Sequence, residues 1–290
     1  MRLIIEDITK RYGTNIALDN FTATLTEGVY GLIGPNGAGK TTLINILVGL
    51  IKADSGRVMF WEDAEKVKEY SKCIPVEKLG FLPQSPGFYK NFTAREFLLY
   101  MGALKNCSKK SLKKYVDELL ESVNLYEVRN KKIGSFSGGM KQRLGIAQAI
   151  INDPKIVILD EPTAGLDPRE RIRFRNIISS LSTDKIVILA THIVSDIAFI
   201  AKEVLLLKKG QLVKKGAQEI LAKEIEGKVW EIETDGKNII SYMNNYKVSN
   251  VANTQNGYCI RIVDDRKPEQ EAVMVQATLE DVCLYYFGEV

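Results

Sequence analysis

The sequence of 290 residues predicts an α/β fold in which helices cover a mostly parallel sheet. Two runs, at 156–159 and 186–190, contain only valine, isoleucine, leucine and alanine, as strands buried on both faces do. A glycine-rich loop at 34–41 lies between a strand-like run and a helix-like run. Because such runs alternate over the first two-thirds of the chain, we expect parallel strands joined by helices.

The glycine-rich loop fits the pattern Gly-x4-Gly-Lys-Ser/Thr, the phosphate loop of nucleoside-triphosphate enzymes. Its glycines allow backbone N–H groups to curl around phosphate oxygens. Lys40 adds a positive charge, and the hydroxyl of Thr41 can ligate Mg²⁺. We expect a strand at 29–33 before the loop and a helix at 41–51 after it, with the helix N-terminus pointing at the phosphates. The candidate ligand-binding residues are Gly34, Pro35, Asn36, Gly37, Ala38, Gly39, Lys40, Thr41 and Thr42.

Two adjacent acids, Asp160 and Glu161, follow the buried run at 156–159. They are predicted to lie at the carboxyl edge of the sheet, where ligands bind in open α/β sheets. Asp160 suits a place in the Mg²⁺ shell, and Glu161 suits a general base that takes a proton from water. The alternative is a solvated acidic pair that only ends the strand.

A second helix with exposed N-terminal N–H groups is predicted after Ser137, Gly138 and Gly139. Apolar residues recur behind them at 140, 144, 147 and 151, which is a helical spacing. Ser137 can cap this helix, and its N-terminus favours anions. A helix cap without any ligand is the alternative.

The remaining elements follow from local patterns. Strands are expected at 2–6, 21–25 and 80–83, and a capping box at Thr93–Glu96 opens a helix over 97–104. Another helix is predicted at 111–123, a hairpin at 204–207 and 211–213, and a helix at 217–225. The segments 229–232, 238–246 and 258–263 suggest a small α+β appendage, and Thr278 caps a last helix.

Composition restricts the function classes. The chain has 40 basic and 36 acidic residues, a net charge of +4, which is too mild to argue for nucleic acid. No apolar run reaches the length of a bilayer span, and the start lacks a signal-peptide core, so we expect a soluble, cytoplasmic protein. Cys73, Cys107, Cys259 and Cys283 lack metal-ligand spacing, and we expect reduced, half-buried thiols.

Taken together, the motifs resemble those of the nucleotide-binding subunit of an ATP-binding cassette (ABC) transporter, over about residues 1–216. The glycine loop matches the family's Walker A motif, the run at 156–161 matches Walker B, and 137–142 matches the signature motif, with Phe136 where leucine is common. Single residues match as well: Gln84 the Q-loop glutamine, Asp167 the D-loop aspartate, His192 the switch histidine, and Tyr12 the aromatic residue that stacks on adenine. His192 is the only histidine in the chain.

The resemblance implies an ABC-type P-loop NTPase fold with an antiparallel β subdomain. It covers a nucleotide-binding domain at 1–216, in which the helical pattern predicts a helical subdomain at about 85–153. The change of composition after this domain predicts a linker at 217–227 and a small accessory domain at 228–290. The resemblance also implies a mechanism in which two such subunits face each other head to tail around two ATP molecules. Thr41, Asp160 and Gln84 then organise Mg²⁺, Glu161 polarises water, and His192 contacts the γ-phosphate. Ser137 and Gly139 act on the partner's nucleotide, and Asp167 couples the two sites.

The resemblance further implies a separate transmembrane permease that holds the subunit on the inner face of the membrane. Six aromatic residues at 79–100 either contact that permease or belong to the core. The ending Thr278–Leu284 resembles that of ATPases in antibiotic-resistance exporters, so we expect export rather than import. The rivals are a soluble ABC ATPase acting on ribosomes or nucleic acid and a noncatalytic regulatory cassette. Glu161 argues against the second rival, and the appendage serves either dimer contacts or regulation.

Overall fold

The computed structural model describes residues 1–63, 66–70, 74–107, 109–236, 238–255 and 257–288. In these parts the strands are β1 (Arg2–Tyr12), β2 (Asn15–Thr26), β3 (Gly28–Ile33), β4 (Ser55–Asp63), β5 (Lys66–Tyr70), β6 (Leu79–Leu82), β7 (Ile156–Asp160), β8 (Ile186–Ala190), β9 (Glu203–Lys208), β10 (Gln211–Gly216), β11 (Val229–Thr234), β12 (Lys247–Thr254), β13 (Gly257–Val263) and β14 (Val273–Met274). The helices are α1 (Lys40–Leu47), α2 (Ala94–Leu104), α3 (Lys109–Ser122), α4 (Gly138–Ile150), α5 (Pro168–Leu181), α6 (Val194–Ala198), α7 (Gln218–Glu224), α8 (Ile239–Asn245) and α9 (Leu279–Phe287).

The central sheet has the strand order β10-β9-β3-β8-β7-β6. The pairs from β9 through β6 are parallel, and only β10 runs antiparallel, as the second strand of the predicted hairpin. Parallel neighbours place their carboxyl ends at one edge of the sheet. The prediction of a mostly parallel α/β core is therefore confirmed.

Strand β7 explains why the core sheet could be predicted from sequence. Val157 and Leu159 pack into a cluster shared with the helices α2 to α5, whereas Ile156 and Ile158 pack into a second cluster with α1 and the β1–β2 hairpin. All four side chains are fully buried. A strand covered on both faces has no polar side, so its sequence is apolar throughout.

Two antiparallel sheets accompany the core. One has the order β2-β1-β4-β5, and the other, in the C-terminal part, has the order β12-β13-β11-β14. The first confirms the expected antiparallel subdomain. Its strands β1 and β2 are longer than the segments 2–6 and 21–25, and β4, β5, β12 and β14 were not predicted. These strands mix polar and apolar residues because they lie at or near sheet edges.

Helix α1 ends four residues earlier than the predicted 41–51 segment. Gly49 adopts a φ of +80°, a left-handed conformation that glycine accepts without steric cost. The N–H groups of Leu50 and Ile51 then bond back to the carbonyl of Asn45, which closes the helix. Leu50, which the predicted helix would include, lies outside α1 and is 67% exposed.

Helix α9 packs into the main core instead of only into the C-terminal sheet. Leu279, Val282 and Cys283 belong to the same buried cluster as Ile197 of α6 and Leu221 of α7. The predicted cap is present, since Thr278 and Asp281 form a capping box. The stretch 217–227, expected as a linker, carries α7 with Leu221 buried.

The cysteines only partly fit the expectation. Cys107 and Cys259 are half-buried free thiols, but Cys283 is fully buried, because α9 turns it into the core. Cys73 lies outside the described residues. Among the helices in the described ranges, none combines the length and apolar character needed to span a bilayer.

Candidate nucleotide-binding site

Four of the predicted motifs meet at the carboxyl edge of the central sheet. The phosphate loop follows β3, the Thr191–His192 pair follows β8, the acid pair ends β7, and Gln84 follows β6. These four strands are adjacent in the order β3-β8-β7-β6. Their registers align the strand ends, since Leu32 pairs with Ala190 and Asp160 pairs with Ala190 from the other side.

The phosphate loop is held by close backbone contacts. A Cβ at Gly34 would lie 2.2 Å from the carbonyl oxygen of Leu207, and one at Gly39 would lie 2.4 Å from that of Ala17. Gly39 also has a φ of +107°, so glycine is required there for two reasons. The N-terminus of α1 has no side-chain cap, which leaves its first N–H groups to an anion.

Lys40 folds back over the loop. Its Nζ donates to the carbonyl of Gly34 at 2.5 Å and to that of Pro35 at 3.2 Å. Burial lowers the pKa of this ammonium group, while the nearby charges of Glu161 and Asp160 raise it again. The lysine thus lies between the loop and the acid pair, in position to reach the outer phosphates.

The acid pair and the histidine form one cluster. Oε2 of Glu161 lies 2.8 Å from Nδ1 of His192, and the N–H of Glu161 donates to the carbonyl of Ala190 at 2.8 Å. Glu161 has a φ of +48°, which turns its side chain out of the strand. Glu161 is 12% exposed and His192 is 62% exposed, so the imidazole is open to solvent whereas the carboxylate is largely buried.

Asp160 fits a divalent cation. The carboxyl is 6% exposed, and within the described ranges no hydrogen bond or ion pair satisfies it. Burial raises its pKa, as does the adjacent Glu161, whereas Lys40 lowers it. Together with the hydroxyl of Thr41 and the amide of Gln84, this carboxylate would make an all-oxygen set, which Mg²⁺ prefers.

The predicted signature residues begin α4, which contacts α5. Ser137 caps α4 by accepting from the N–H of Met140 at 3.2 Å, as expected, and Gly138 and Gly139 form the first turn. In the described parts of the chain, no hydrogen bond or ion pair links Ser137, Gly138 or Gly139 to the phosphate loop. Asp167 caps α5 through the N–H of Glu170 at 2.9 Å.

A contact that the sequence did not reveal joins α4 to α5. Nε of Arg143 on α4 lies 3.0 Å from Oε2 of Glu170 on α5, and a Cβ at Gly139 would lie 2.9 Å from Cγ of Glu170. Glu170 therefore connects the signature helix to the helix that Asp167 caps. An Arg and a Glu on separate helices give no signal in a single sequence.

Tyr12 lies at the tip of the β1–β2 hairpin, opposite Asn15. Its side chain is 50% exposed. The hairpin touches the phosphate loop through Ala17, whose carbonyl oxygen approaches Gly39. This contact brings the end of the hairpin that carries Tyr12 close to the phosphate loop.

The aromatic residues at 79–100 divide between core and surface. Phe97 is 2% exposed, whereas Tyr89 and Tyr100 are 51% and 41% exposed. The two tyrosines line a cavity of about 290 Å³ next to Gln84, together with Pro83, Pro86, Leu104 and Gln148. Phe97 thus belongs to the core, whereas Tyr89 and Tyr100 are exposed, and their contact with a permease stays a prediction.

Comparison with known proteins decides the family. The sequence profile described as ABC transporter matches residues 18–164. The chain belongs to the ABC transporter family. The bacitracin transport ATP-binding protein BcrA of Bacillus licheniformis is 40% identical over 212 residues, which cover 72% of this chain and 67% of BcrA. YxlF of Bacillus subtilis (strain 168), an uncharacterised ABC transporter ATP-binding protein, is 36% identical over 236 residues, 81% of this chain and 77% of YxlF.

Solved structures agree with this assignment. MJ1267, an ABC transporter cassette in its ADP conformation, has a TM-score of 0.68 at 25% identity and covers 84% of this chain and 99% of its own. The dimeric cassette MJ0796 has a TM-score of 0.63 at 26% identity, with 74% and 98% covered. As an ABC family member the chain is an ATP-binding ATPase subunit of a transporter. The predicted fold, ATP as ligand and ATP hydrolysis are therefore confirmed.

Proposed function

We propose that this subunit hydrolyses ATP at a joint between two cassettes arranged head to tail. One observation carries the proposal: the phosphate loop, the acid pair and His192 share one sheet edge, whereas among the described residues no hydrogen bond or ion pair joins the N-terminus of the signature helix to them. The N-terminus of a helix favours an anion. The N-terminus of α4 is therefore suited to bind the phosphates of a nucleotide that is held by a second subunit. The dimeric cassette MJ0796 supports this arrangement.

Within that joint, each subunit contributes two sets of residues. Lys40 and the loop amides hold the phosphates, Tyr12 stacks on adenine, and Glu161 takes a proton from the attacking water. His192 orients Glu161 and contacts the γ-phosphate, while Ser137, Gly138 and Gly139 bind the partner's nucleotide and Asp167 couples the two sites. Such a reaction needs positioning and charge stabilisation more than covalent chemistry.

Thr41, Asp160 and Gln84 are proposed to hold Mg²⁺. When bound, the ion neutralises charge on the phosphate oxygens. The buried carboxylate of Asp160, to which no described residue gives a hydrogen bond or ion pair, supports this assignment, and Lys40 beside it would share the phosphate charge.

A separate membrane-spanning permease is the proposed transport partner. The cavity lined by Tyr89, Tyr100 and Leu104 adjoins Gln84, so a helix seated there would touch a residue of the ATP site. Its partly exposed tyrosines resemble the aromatic anchors of protein interfaces. This contact would hold the subunit on the inner face of the membrane.

Export is the proposed direction of transport. Three of the relatives support it by name: the bacitracin transport protein BcrA, a Nod factor export protein of Burkholderia lata and the linearmycin resistance protein LnrL of Bacillus subtilis. An importer is the alternative. We propose no nucleic-acid partner, which the balanced charge of +4 supports, and a nucleotide-binding domain at 1–216 that is followed by an accessory part.

The variant Glu161→Gln tests the joint. It removes the proton acceptor but keeps the shape of the side chain, so ATP turnover should fall by at least about 100-fold while ATP binding persists. Size-exclusion chromatography with ATP should show a stable dimer. Glu219→Gln, an exposed change on α7, is the matched control. Equal turnover of Glu161→Gln and wild type, or full turnover by an isolated monomer, would contradict the proposal.

The permease contact is tested by capture from detergent-solubilised membranes of the native organism. We expect the tagged subunit to retain a membrane-spanning partner. The double variant Tyr89→Ala/Tyr100→Ala should lose this partner without losing basal ATP binding. Ile240→Ala, which removes an even more exposed side chain on α8, should keep it. Retention by the double variant would reject the cavity as the docking site.

A further inference from the structure

Asp54, in the turn between α1 and β4, forms hydrogen bonds with the part of β1 that leads to Tyr12. Its Oδ1 accepts from Nζ of Lys10 at 2.7 Å, and its Oδ2 accepts from the N–H of Arg11 at 2.7 Å. The N–H of Asp54 in turn donates to the carbonyl of Thr9 at 2.9 Å. Three consecutive residues of β1 are therefore bonded to one residue that lies more than 40 positions away.

Lys10, which Asp54 holds in place, also contacts the aromatic ring of Tyr12. Its ammonium nitrogen lies 5.6 Å from the centroid of the Tyr12 ring, within the range of a cation–π contact. The side chain of Lys10 is only 16% exposed, so it is held along its length. Lys10 thus lies over the tyrosine ring, and half of the Tyr12 side chain stays exposed to a ligand.

The position of the β1–β2 hairpin indicates which ligand the exposed Tyr12 ring could contact. Ala17 and Leu18 of β2 lie against Gly39, and Leu18 pairs with Lys10 across the hairpin. The tip with Tyr12 therefore extends beyond the point where the hairpin touches the phosphate loop. A base attached to a nucleotide in that loop would lie within reach of the tip.

We propose that Asp54 and Lys10 are positioning residues that fix the Tyr12 ring for stacking on adenine. The inference rests on the proposed role of Tyr12. Without this support, a half-exposed tyrosine at a hairpin tip would sample several rotamers, and ATP binding would have to order it. The two residues act before binding by preparing the ring.

The chemistry of the contact supports this role over that of an ordinary surface ion pair. The hydrogen bond from Lys10 and that from the N–H of Arg11 both hold the pKa of Asp54 below its usual value. A lone exposed pair would add little to stability. Here the carboxylate also bonds the backbone next to Tyr12, which fixes the direction of the strand as well as the charge.

The experiment measures by calorimetry the affinities for two ligands, ATP and inorganic tripolyphosphate. Tripolyphosphate has the phosphates but no base. The variants are Asp54→Asn, which loses the charge, Lys10→Met, which keeps the stem without the ammonium, and Tyr12→Ala. The control is Asp7→Asn, the same chemical change at an acid in the middle of β1, which accepts from the hydroxyl of Thr22 farther from the hairpin tip.

We expect Asp54→Asn and Lys10→Met to weaken ATP binding about two- to fivefold, as loss of an exposed cation–π contact does. Tyr12→Ala should weaken it by about tenfold or more. Tripolyphosphate should bind all variants like wild type, and Asp7→Asn should bind both ligands normally.

The outcomes separate the two proposals. If Tyr12→Ala weakens ATP binding but Asp54→Asn and Lys10→Met do not, the positioning role is wrong and the stacking role stands. If Tyr12→Ala itself leaves ATP affinity unchanged, the stacking role fails, and the positioning role fails with it. If Asp54→Asn weakens both ligands equally, Asp54 supports the phosphate loop and the inference is overturned.

Discussion

Nδ1 of His192 lies 2.8 Å from Oε2 of Glu161, although 31 residues separate them in sequence. The contact exists because β7 and β8 are adjacent parallel strands, with Asp160 opposite Ala190. Glu161 is the first residue after β7 and His192 the second after β8, so the two side chains meet at the sheet edge. Glu161, the proposed water-activating carboxylate, and His192, the proposed contact to the γ-phosphate, therefore form a single hydrogen-bonded unit.

Replacing His192 by Ala should lower ATP turnover by about 100-fold or more, the typical cost of removing a positioned donor, because Glu161 loses its only described side-chain partner. ATP binding should change little. His192→Gln, which keeps a donor, should retain more activity than His192→Ala. Steady-state turnover and equilibrium ATP binding check this prediction, and equal activity of the two variants would speak against an orienting role.

Replacing Lys40 by Ala should remove detectable ATP binding and turnover. The substitution deletes the buried ammonium that lies between the loop carbonyls and the acid pair. Calorimetric titration with ATP measures the effect. Lys52→Ala, a change of the same type at an exposed lysine, should bind ATP like wild type. Unchanged affinity in Lys40→Ala would exclude the loop as the phosphate site.

Replacing Gly139 by Ala should lower turnover about tenfold or more, since forcing a methyl group against Glu170 causes strain. The double variant Gly139→Ala/Glu170→Ala, which makes room for the methyl group, should recover part of the loss. Gly138→Ala should lose less than Gly139→Ala, because a Cβ at Gly138 meets nothing within 4 Å. The measurement is ATP turnover of wild type and the three variants at saturating ATP. If the double variant recovers no turnover, contact with Glu170 does not explain the loss in Gly139→Ala.

Replacing Asp281 by Asn should destabilise the fold by about 3 kcal/mol near neutral pH, as breaking a buried ion pair does. Asp281 is fully buried and accepts from Arg261 and from Ser249. Urea unfolding measures the loss. The control is Glu280→Gln, the same change at an exposed acid one residue earlier in α9. It should leave the free energy of unfolding almost unchanged.

The cost of Asp281→Asn should also depend on pH. Burial alone would raise the pKa of Asp281, but hydrogen bonds from Arg261, Ser249 and Thr278 hold it below its usual value. A depressed folded-state pKa stabilises the fold above the unfolded value of about 3.9, and this contribution disappears as the pH falls through the lower folded pKa. The difference in the free energy of unfolding between wild type and Asp281→Asn should therefore become smaller below about pH 4. A constant difference would mean that the charge of Asp281 contributes nothing.

Much of the core and of the candidate site could be predicted, for a physical reason that β7 illustrates. Its residues are buried on both sides, and the acids at its end are required by chemistry, so both appear as local patterns. The capping residues Thr93, Ser137 and Thr278 were also predictable, because a cap depends on residues three positions apart.

The elements that escaped prediction depend on distant partners. Strand β4 exists because Val58 pairs with Ile5 across more than fifty residues, and its own sequence does not reveal that neighbour. The same holds for Lys10 with Asp54 and for Arg143 with Glu170. The end of α1 was missed because the left-handed turn at Gly49 competes with an apolar pattern that continues to Ile51.

Because Leu279, Val282 and Cys283 complete the cluster that contains Ile197 and Leu221, the cassette cannot finish folding early during translation. A nascent chain that has left the ribosome only as far as α7 still shows an uncovered apolar surface on α6 and α7. That intermediate is a natural client for holding chaperones. A premature stop before α9 would accordingly yield an aggregation-prone product, not a shortened working enzyme.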